Sequence, residues 1–442
     1  MTGPMRKLML ECTTTYRHDY RTGIPRVVRN VVRHMRPLAA ARGYELVPVY
    51  FASGGLYRAA LTATGELATQ PKGWRRQVRD LGRSGIERVA PVLPEGRVRD
   101  WLVAPGSEPG LARVVKRVAA LTRLKRRRPP TGEIEILPGD RLFLIDVSLG
   151  FDMRDKLRDL DRAGVPIGAL IYDLIPLQHP QWWPPGFSAA FSAWLAPILE
   201  HASRLVAISS SVAADVDGYR RGLPAGRVRA GQEVAWFHLG HDLDPIAADA
   251  PIRPRIAALF ADEPVLLNVG WLDPRKNQLR LFDALKEVLA SGTAARLLLV
   301  GKCGVGGGPI LERVERDPVL SQHVTILNDL SDAELRYAFR HARALVYPSL
   351  AEGFGLPLVE ALSLGLPSFA SDLPVFRETS EGYAVFFDPL DPHMLASQLI
   401  EFLRDGRYPA ARPQQQFRWV TWDQSIAVLL DRMLADTPAG AP

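Results

Sequence analysis

The sequence predicts an α/β protein of two doubly wound parallel-sheet domains in tandem. Three observations lead there. Short β-branched runs alternate with amphipathic stretches along most of the chain, the pattern of successive βαβ units. The alternation resets once, around Asp242–Pro254, where Asp, Pro and Ala cluster without periodicity, as at an interdomain linker. The 442 residues also exceed the roughly 250–300 that one core accommodates.

Each expected strand is a short, mostly apolar run, as buried parallel strands require. In the first half these are Leu8–Thr13, Tyr44–Phe51, Arg141–Val147, Ile167–Asp173, Arg204–Ser209 and Val234–Leu239, with helical spacing over Pro25–Met35 and Ser211–Tyr219. In the second half they are Val265–Val269, Arg296–Val300, Val324–Leu327, Ala344–Pro348, Ser368–Ala370 and Ala384–Phe387. Helices are expected between them over Gln278–Ala290, Asp332–His341, Pro357–Leu364 and Pro392–Phe402. Pro409–Pro413 and Gln414–Gln416 break the pattern before a last helix, Thr421–Leu434, and a small-residue tail. The division is therefore 1–245, 246–412 and 413–442. Two such sheets place a ligand in the cleft between them, at the carboxyl ends of the strands.

Composition narrows the class. With 47% hydrophobic and 23% charged residues, the chain is neither disordered nor collagen-like. Two cysteines, Cys12 and Cys303, make no disulfide framework, and there is no CxxC pair for zinc. A reducing, cytoplasmic compartment is expected. The first apolar run stops after Leu10 and no stretch reaches about 18 apolar residues, so no membrane span is expected. The net charge of +7 is unevenly placed: residues 54–130 hold 17 Lys/Arg against 6 Asp/Glu, ending in Thr122-Arg-Leu-Lys-Arg-Arg-Arg-Pro-Pro130. Two readings of this stretch stand: contact with anionic headgroups at the inner face of a membrane, or a solvated helical insertion with a basic loop.

The sharpest motif is Tyr347-Pro-Ser-Leu-Ala-Glu-Gly-Phe-Gly-Leu-Pro-Leu-Val-Glu-Ala361. A buried strand runs into a glycine loop and then a helix with Pro357 in its first turn. Free first-turn amides and the helix dipole make a seat for phosphate, and Gly353 and Gly355 allow close backbone approach. Glu352 and Glu360 are out of place beside phosphate; they suit hydroxyls of a ribose or a sugar. Upstream, Asn268-Val-Gly-Trp-Leu-Asp-Pro-Arg-Lys-Asn277 is a second strand–loop–helix with cations in its loop. A third glycine turn, Gly23 before Pro25, feeds a helix at the end of the first strand.

Glu352, seven residues containing Gly353-Phe-Gly-Leu-Pro357, and then Glu360 resemble the signature of glycosyltransferase family 4, retaining enzymes of GT-B fold. The resemblance covers Val265–Phe402 closely, the strands around Gly23 and Asp173 more loosely, and leaves 54–130 unmatched. It implies two Rossmann-like domains facing across a cleft and a last helix returning to the first domain. It also implies sugar transfer from a nucleotide-diphosphate donor to a hydroxyl with retention, without a metal or other cofactor. Arg275 and Lys276 would hold the diphosphate; many members carry arginine directly after the strand glycine, Gly270, where this chain has Trp271. Amides along Gly353, Phe354, Gly355 and Leu356 would assist, and Gly23 would approach from across the cleft. Glu352 would hold the donor sugar and Glu360 the ribose. Asp173, at a strand end where members often carry His or an acid, would touch sugar or acceptor.

Thr22-Gly-Ile-Pro-Arg-Val-Val-Arg-Asn30 is similar to enzymes of bacterial O-antigen and capsule assembly, which inclines the donor toward GDP-mannose over a UDP-sugar and the acceptor toward a glycan or lipid-linked glycan. Arg26 either faces the cleft or pairs on the surface. Trp182-Trp183 suits sugar stacking or plain packing. Ser209 and His238-Leu-Gly-His-Asp242 are expected to be architectural, as is His179. Gly301-Lys-Cys-Gly-Val-Gly-Gly-Gly308 alone hints weakly at a dinucleotide loop and a dehydrogenase. Asp159-Leu-Asp161 and Asp242-Leu-Asp244 are chance DxD strings. An epimerase or phosphorylase would share the cleft, and a catalytically silent subunit binding nucleotide-sugar or membrane is the alternative of another class.

Overall fold

A computed structural model describes residues 5–18, 23–52, 54–69, 132–241, 251–413 and 416–435. The basic stretch from residue 70 to 131, and most of the expected linker, lie outside the described residues.

The first sheet has seven strands in the order β3-β2-β1-β4-β5-β6-β7. They are β1 (Arg6–Glu11), β2 (Tyr44–Ala52), β3 (Gly55–Arg58), β4 (Arg141–Leu144), β5 (Ile167–Ile171), β6 (Arg204–Ala207) and β7 (Glu233–Trp236). All pair in parallel except β3, which folds back antiparallel on β2 as an edge. Residues 55–58 thus belong to the sheet: Leu56 and Tyr57 are buried, and Tyr57 bridges to Glu133. The order reverses between β1 and β4, the crevice where doubly wound sheets bind ligands.

The second sheet, β10-β9-β8-β11-β12-β13, is wholly parallel. Its strands are β8 (Val265–Val269), β9 (Arg296–Val300), β10 (Val324–Leu327), β11 (Ala344–Tyr347), β12 (Ser368–Ser371) and β13 (Val385–Phe387). The same reversal falls between β8 and β11, so the loops after these two strands meet at one crevice.

Helices cover both faces of each sheet. In the first domain α1 (Thr13–Arg17) opens directly after β1, so the expected strand Leu8–Thr13 ends two residues early. Then come α2 (Ile24–Ala41), α3 (Arg154–Arg162), α4 (Phe187–His201) and α5 (Ser210–Arg221). The second domain carries α6 (Gln278–Ala290), α7 (Gly308–Arg316), α8 (Asp332–His341), α9 (Leu356–Ser363), α10 (Pro374–Ser380) and α11 (Pro392–Asp405). Ser331 caps α8 in a reciprocal capping box with Glu334, and Asp391 caps α11.

The last helix, α12 (Trp422–Leu434), returns to the first domain and packs on α2. Trp422 is 1% exposed beneath Gly240, where an added Cβ would meet the Trp422 backbone at 2.5 Å. Ser425 Oγ donates to the His238 carbonyl at 2.6 Å, and Trp419 Nε1 donates to the Leu239 carbonyl at 2.8 Å. One continuous apolar cluster includes the first-domain core, one face of the second sheet and α12, while a second cluster fills the opposite face of the second sheet. Among the described residues no helix is long and apolar enough to cross a membrane.

Candidate active site

The loop after β8 begins at Gly270, whose φ of +147° belongs to glycine, and an added Cβ would press on Lys276 Cε at 3.2 Å. Pro274–Lys276 form a single 3₁₀ turn, and Asn277 then takes a left-handed φ of 57° to start α6. Asparagine is among the few residues at ease there. Its side chain donates to the Pro389 carbonyl at 2.8 Å. The turn keeps Arg275 and Lys276 inside the crevice, where the Leu350 amide donates to the Arg275 carbonyl at 2.8 Å.

The loop after β11 supplies the counter-charge. Glu352, 8% exposed in its side chain, accepts from Arg275 Nη1 at 3.1 Å and from Ser349 Oγ at 2.8 Å. It also accepts from the Tyr347 hydroxyl at 3.1 Å, and Lys276 Nζ pairs with the same carboxylate. Lys276 further donates to Tyr347 OH at 2.9 Å. Asp273 sits 3.5 Å from Arg275. Burial pushes the Glu352 carboxyl up, but the charges of Lys276 and Arg275 outweigh it and hold the group down to about 2. Glu352 is therefore ionised, with both cations on it.

Across the crevice, burial raises the pKa of Asp173 while Arg275 opposes, and Asp173 accepts from the Ile175 amide at 3.1 Å. The first domain touches the glycine loop itself. Ser209 Oγ donates to the Gly353 carbonyl at 2.9 Å, and an added Cβ on Gly353 would collide with the Tyr172 carbonyl. Gly355, at φ +89°, caps α9, and Phe376 leaves no room for a side chain there. Gly353→Ala is expected to push the domains apart at this contact. The expected result is a turnover at least roughly tenfold lower, with melting lowered by the roughly 1–3 kcal/mol of an overpacked site. Unchanged rates and melting would show that the contact yields freely.

Of the expected residues, Glu352, Arg275 and Lys276 converge with Gly270 and Gly353, and Asp173 faces them. Phe354 enters differently: its ring is 3% exposed and packs against His238 and Trp419, with centroids 6.1 and 5.9 Å away, so only its backbone is available to a ligand. Leu356 opens α9, and Glu360 lies one turn in, buried. Glu360 is held by Arg26 from the opposite domain, Nη1 to Oε1 2.7 Å, which settles the direction of Arg26 toward the cleft. Gly23 caps α2 at φ 63°. The glycine loop 301–308 does not stand alone as a dinucleotide loop; it zips onto the loop after β8 through Leu272 and Cys303. Lys302 is exposed there.

Sequence reasoning missed three parts. Tyr347 and Ser349 orient Glu352, and both stand inside the quoted motif. Glu378 joins the domains, accepting from the Ser210 and Ser211 amides at 2.6 and 3.0 Å, from Ser211 Oγ at 2.7 Å and from His238 at 2.8 Å. Burial raises its pKa, yet these donors carry it down to about 2. No local pattern marks that glutamate.

The chain is similar to known proteins in sequence and in fold. Residues 251–418 match the family model of glycosyl transferases group 1. The whole chain is similar to the serotype-specific mannosyltransferase WbdA of Escherichia coli, at 27% identity over 98% of this chain and 46% of that protein. The O-antigen chain mannosyltransferase RfbU of Salmonella typhimurium is 41% identical over 33% of this chain and 40% of its own length. The chain thus spans about half or less of these relatives. Among solved structures, sucrose-phosphate synthase from Thermosynechococcus elongatus superposes with a TM-score of 0.59 at 18% identity, covering 97% of this chain and 98% of that one. Anabaena HepE in complex with UDP and glucose superposes with a TM-score of 0.53 at 14% identity, covering 98% and 96%. The fold is GT-B.

Proposed function

We propose that this chain is a retaining, family 4 glycosyltransferase that moves a sugar from a nucleotide-diphosphate donor to a hydroxyl of a glycan or lipid-linked glycan in bacterial surface-polysaccharide assembly. The observation that carries the reading is the convergence of Arg275, Lys276 and Glu352 beside the N-terminus of α9. Two fixed cations meet the charge that grows on a departing diphosphate, and they need no reorganisation when it forms. The reaction is metal-independent in this reading, the two cations and the α9 amides taking up that charge.

Glu352 exchanges its cations for donor-sugar hydroxyls as the diphosphate arrives, and so positions the anomeric carbon. Glu360 takes the ribose. The acceptor hydroxyl attacks from the face that diphosphate leaves, and a phosphate oxygen takes its proton, so no protein nucleophile is required. Asp173, with its raised pKa, contacts donor sugar or acceptor from the first domain. Mannosyltransferase relatives support GDP-mannose as donor. Transfer takes place in the cytoplasm, at the inner face of the membrane.

The test is a thermal-shift titration with GDP, UDP, ADP and CMP in the presence of EDTA. A ligand at a hundred times its dissociation constant stabilises by about 2.7 kcal/mol. A selective shift with GDP, followed by transfer from GDP-mannose giving an α-linked product by NMR, is the expected result. No shift with any nucleotide at millimolar concentration overturns the donor site. A β-linked product overturns retention.

A further inference from the structure

The pair between Arg26 and Glu360 joins residues 334 positions apart, one from each domain. Arg26 lies in the first turn of α2, which has no acidic residue and no side-chain cap. A cation there opposes the positive end of the helix dipole, so it gains from a nearby anion. The surroundings are cationic as well. Burial, then Arg26 and Arg336, pulls the His241 imidazole down to about 4, and its Nδ1 is buried with no hydrogen-bond partner among the described residues. Into this basic corner the opposite domain inserts the Glu360 carboxylate, with 5% of its side chain exposed against 35% for Arg26.

We infer that Arg26 is an exchange latch: it closes the cleft on Glu360, and a nucleoside diphosphate releases it by giving ribose hydroxyls to Glu360 and a phosphate to Arg26. The inference rests on the donor reading above and adds a residue to it. A carboxylate bound to a guanidinium has less to offer two hydroxyls, so ribose has to displace the ion pair. A guanidinium displaced at the positive end of a helix gains most from a new anion, and the diphosphate is joined to the ribose that displaced it. One ligand therefore makes both halves of the exchange. A nucleoside without phosphates makes only the first half and bears the cost of breaking the pair.

The consequence is a ratio. In the wild-type chain GDP binds far more tightly than guanosine, and UDP more tightly than uridine. Arg26→Gln clears Glu360 and removes the phosphate contact, so diphosphate affinity falls and nucleoside affinity is kept or rises. The diphosphate-to-nucleoside ratio is expected to shrink roughly ten- to a hundredfold, the scale of one charge-assisted hydrogen bond. Arg26→Lys keeps the charge and most of the ratio.

Calorimetric titration of the full chain with the four ligands reads this directly, and melting curves confirm that each variant is folded. A purely structural pair would lower stability in Arg26→Gln and leave the ratio unchanged; that result overturns the latch while leaving the donor reading intact. Should Arg26→Gln fail to fold, Arg26→Met, which keeps the unbranched stem and removes the charge, is read on the same ratio: a shrunken ratio supports the latch, and an unchanged ratio overturns it. Absence of binding by any diphosphate to the wild-type chain defeats the donor reading and the latch together.

Discussion

Lys276→Ala and Glu352→Gln are each expected to lose at least roughly a hundredfold in turnover, the scale of one preorganised contact to developing charge. The two are expected to move nucleotide binding in opposite directions, and that separates a working site from a structural ion pair. In the crevice Glu352 accepts from both Arg275 and Lys276. An incoming diphosphate competes with this carboxylate for the same cations. Glutamine is nearly the same shape and lacks the charge, so Glu352→Gln leaves the cations to the diphosphate. Nucleoside diphosphate affinity is expected to hold or rise while transfer collapses.

Lys276→Ala removes one of the two phosphate cations, so affinity and turnover fall together. Both variants also strip a partner from a buried pair, which typically costs about 3–5 kcal/mol. Melting curves must therefore accompany the rates, and diphosphate should restore part of the lost stability in Glu352→Gln only. Near-normal turnover in either folded variant, or parallel loss of nucleotide binding in both, would remove these residues from the reaction.

The legible part of this protein was what local chemistry writes into consecutive residues. Ten of the twelve expected strands coincide with observed ones to within two residues at each end, because buried parallel strands are short apolar runs bounded by loops. The cations after Gly270 and the acids around Gly353–Pro357 were legible because a turn, a helix start and a charge must follow in fixed order. Strand β3 was hidden: its Gly55–Arg58 segment is short and sits at the head of a basic run, so charge masked a sheet edge. The Glu378 clasp was hidden for another reason. Ser210 and Ser211 lie 168 and 167 positions away in the other domain, and only the fold brings them together. Arg26 had two open directions in the sequence, and a partner 334 residues away chose one.

The stabilising contribution of Glu11 is expected to fall as pH rises from about 5 to 8, and Glu11→Gln is expected to remove that fall. Glu11 and Asp146 end up buried side by side at the reversal of the first sheet, each 1% exposed. Glu11 accepts from the Thr13 amide and from Ser148 Oγ, both at 2.8 Å, and Asp146 accepts from the Thr15 amide at 2.6 Å. Burial first, then the charge of Asp146, raises the Glu11 carboxyl to about 8 from its ordinary 4.5. Burial raises Asp146 as well. The folded protein therefore keeps a proton on Glu11 that the unfolded chain has already lost at pH 5 to 8. Stability declines with pH wherever the folded state binds more protons, by up to about 1.4 kcal/mol per unit. The contribution is complete below the unfolded value and is gone once pH passes the folded one.

Glutamine keeps the oxygen that Thr13 and Ser148 need and has no proton to lose. Thermal melting between pH 5 and 9 should show the two proteins diverging as pH rises, with Glu11→Gln several kcal/mol the more stable at pH 8 and above. Because Thr13 and Thr15 lead the chain toward Gly23, turnover should fall with wild-type stability on the alkaline side and hold better in the variant. Parallel melting profiles across this range would mean that Glu11 is already ionised in the folded state.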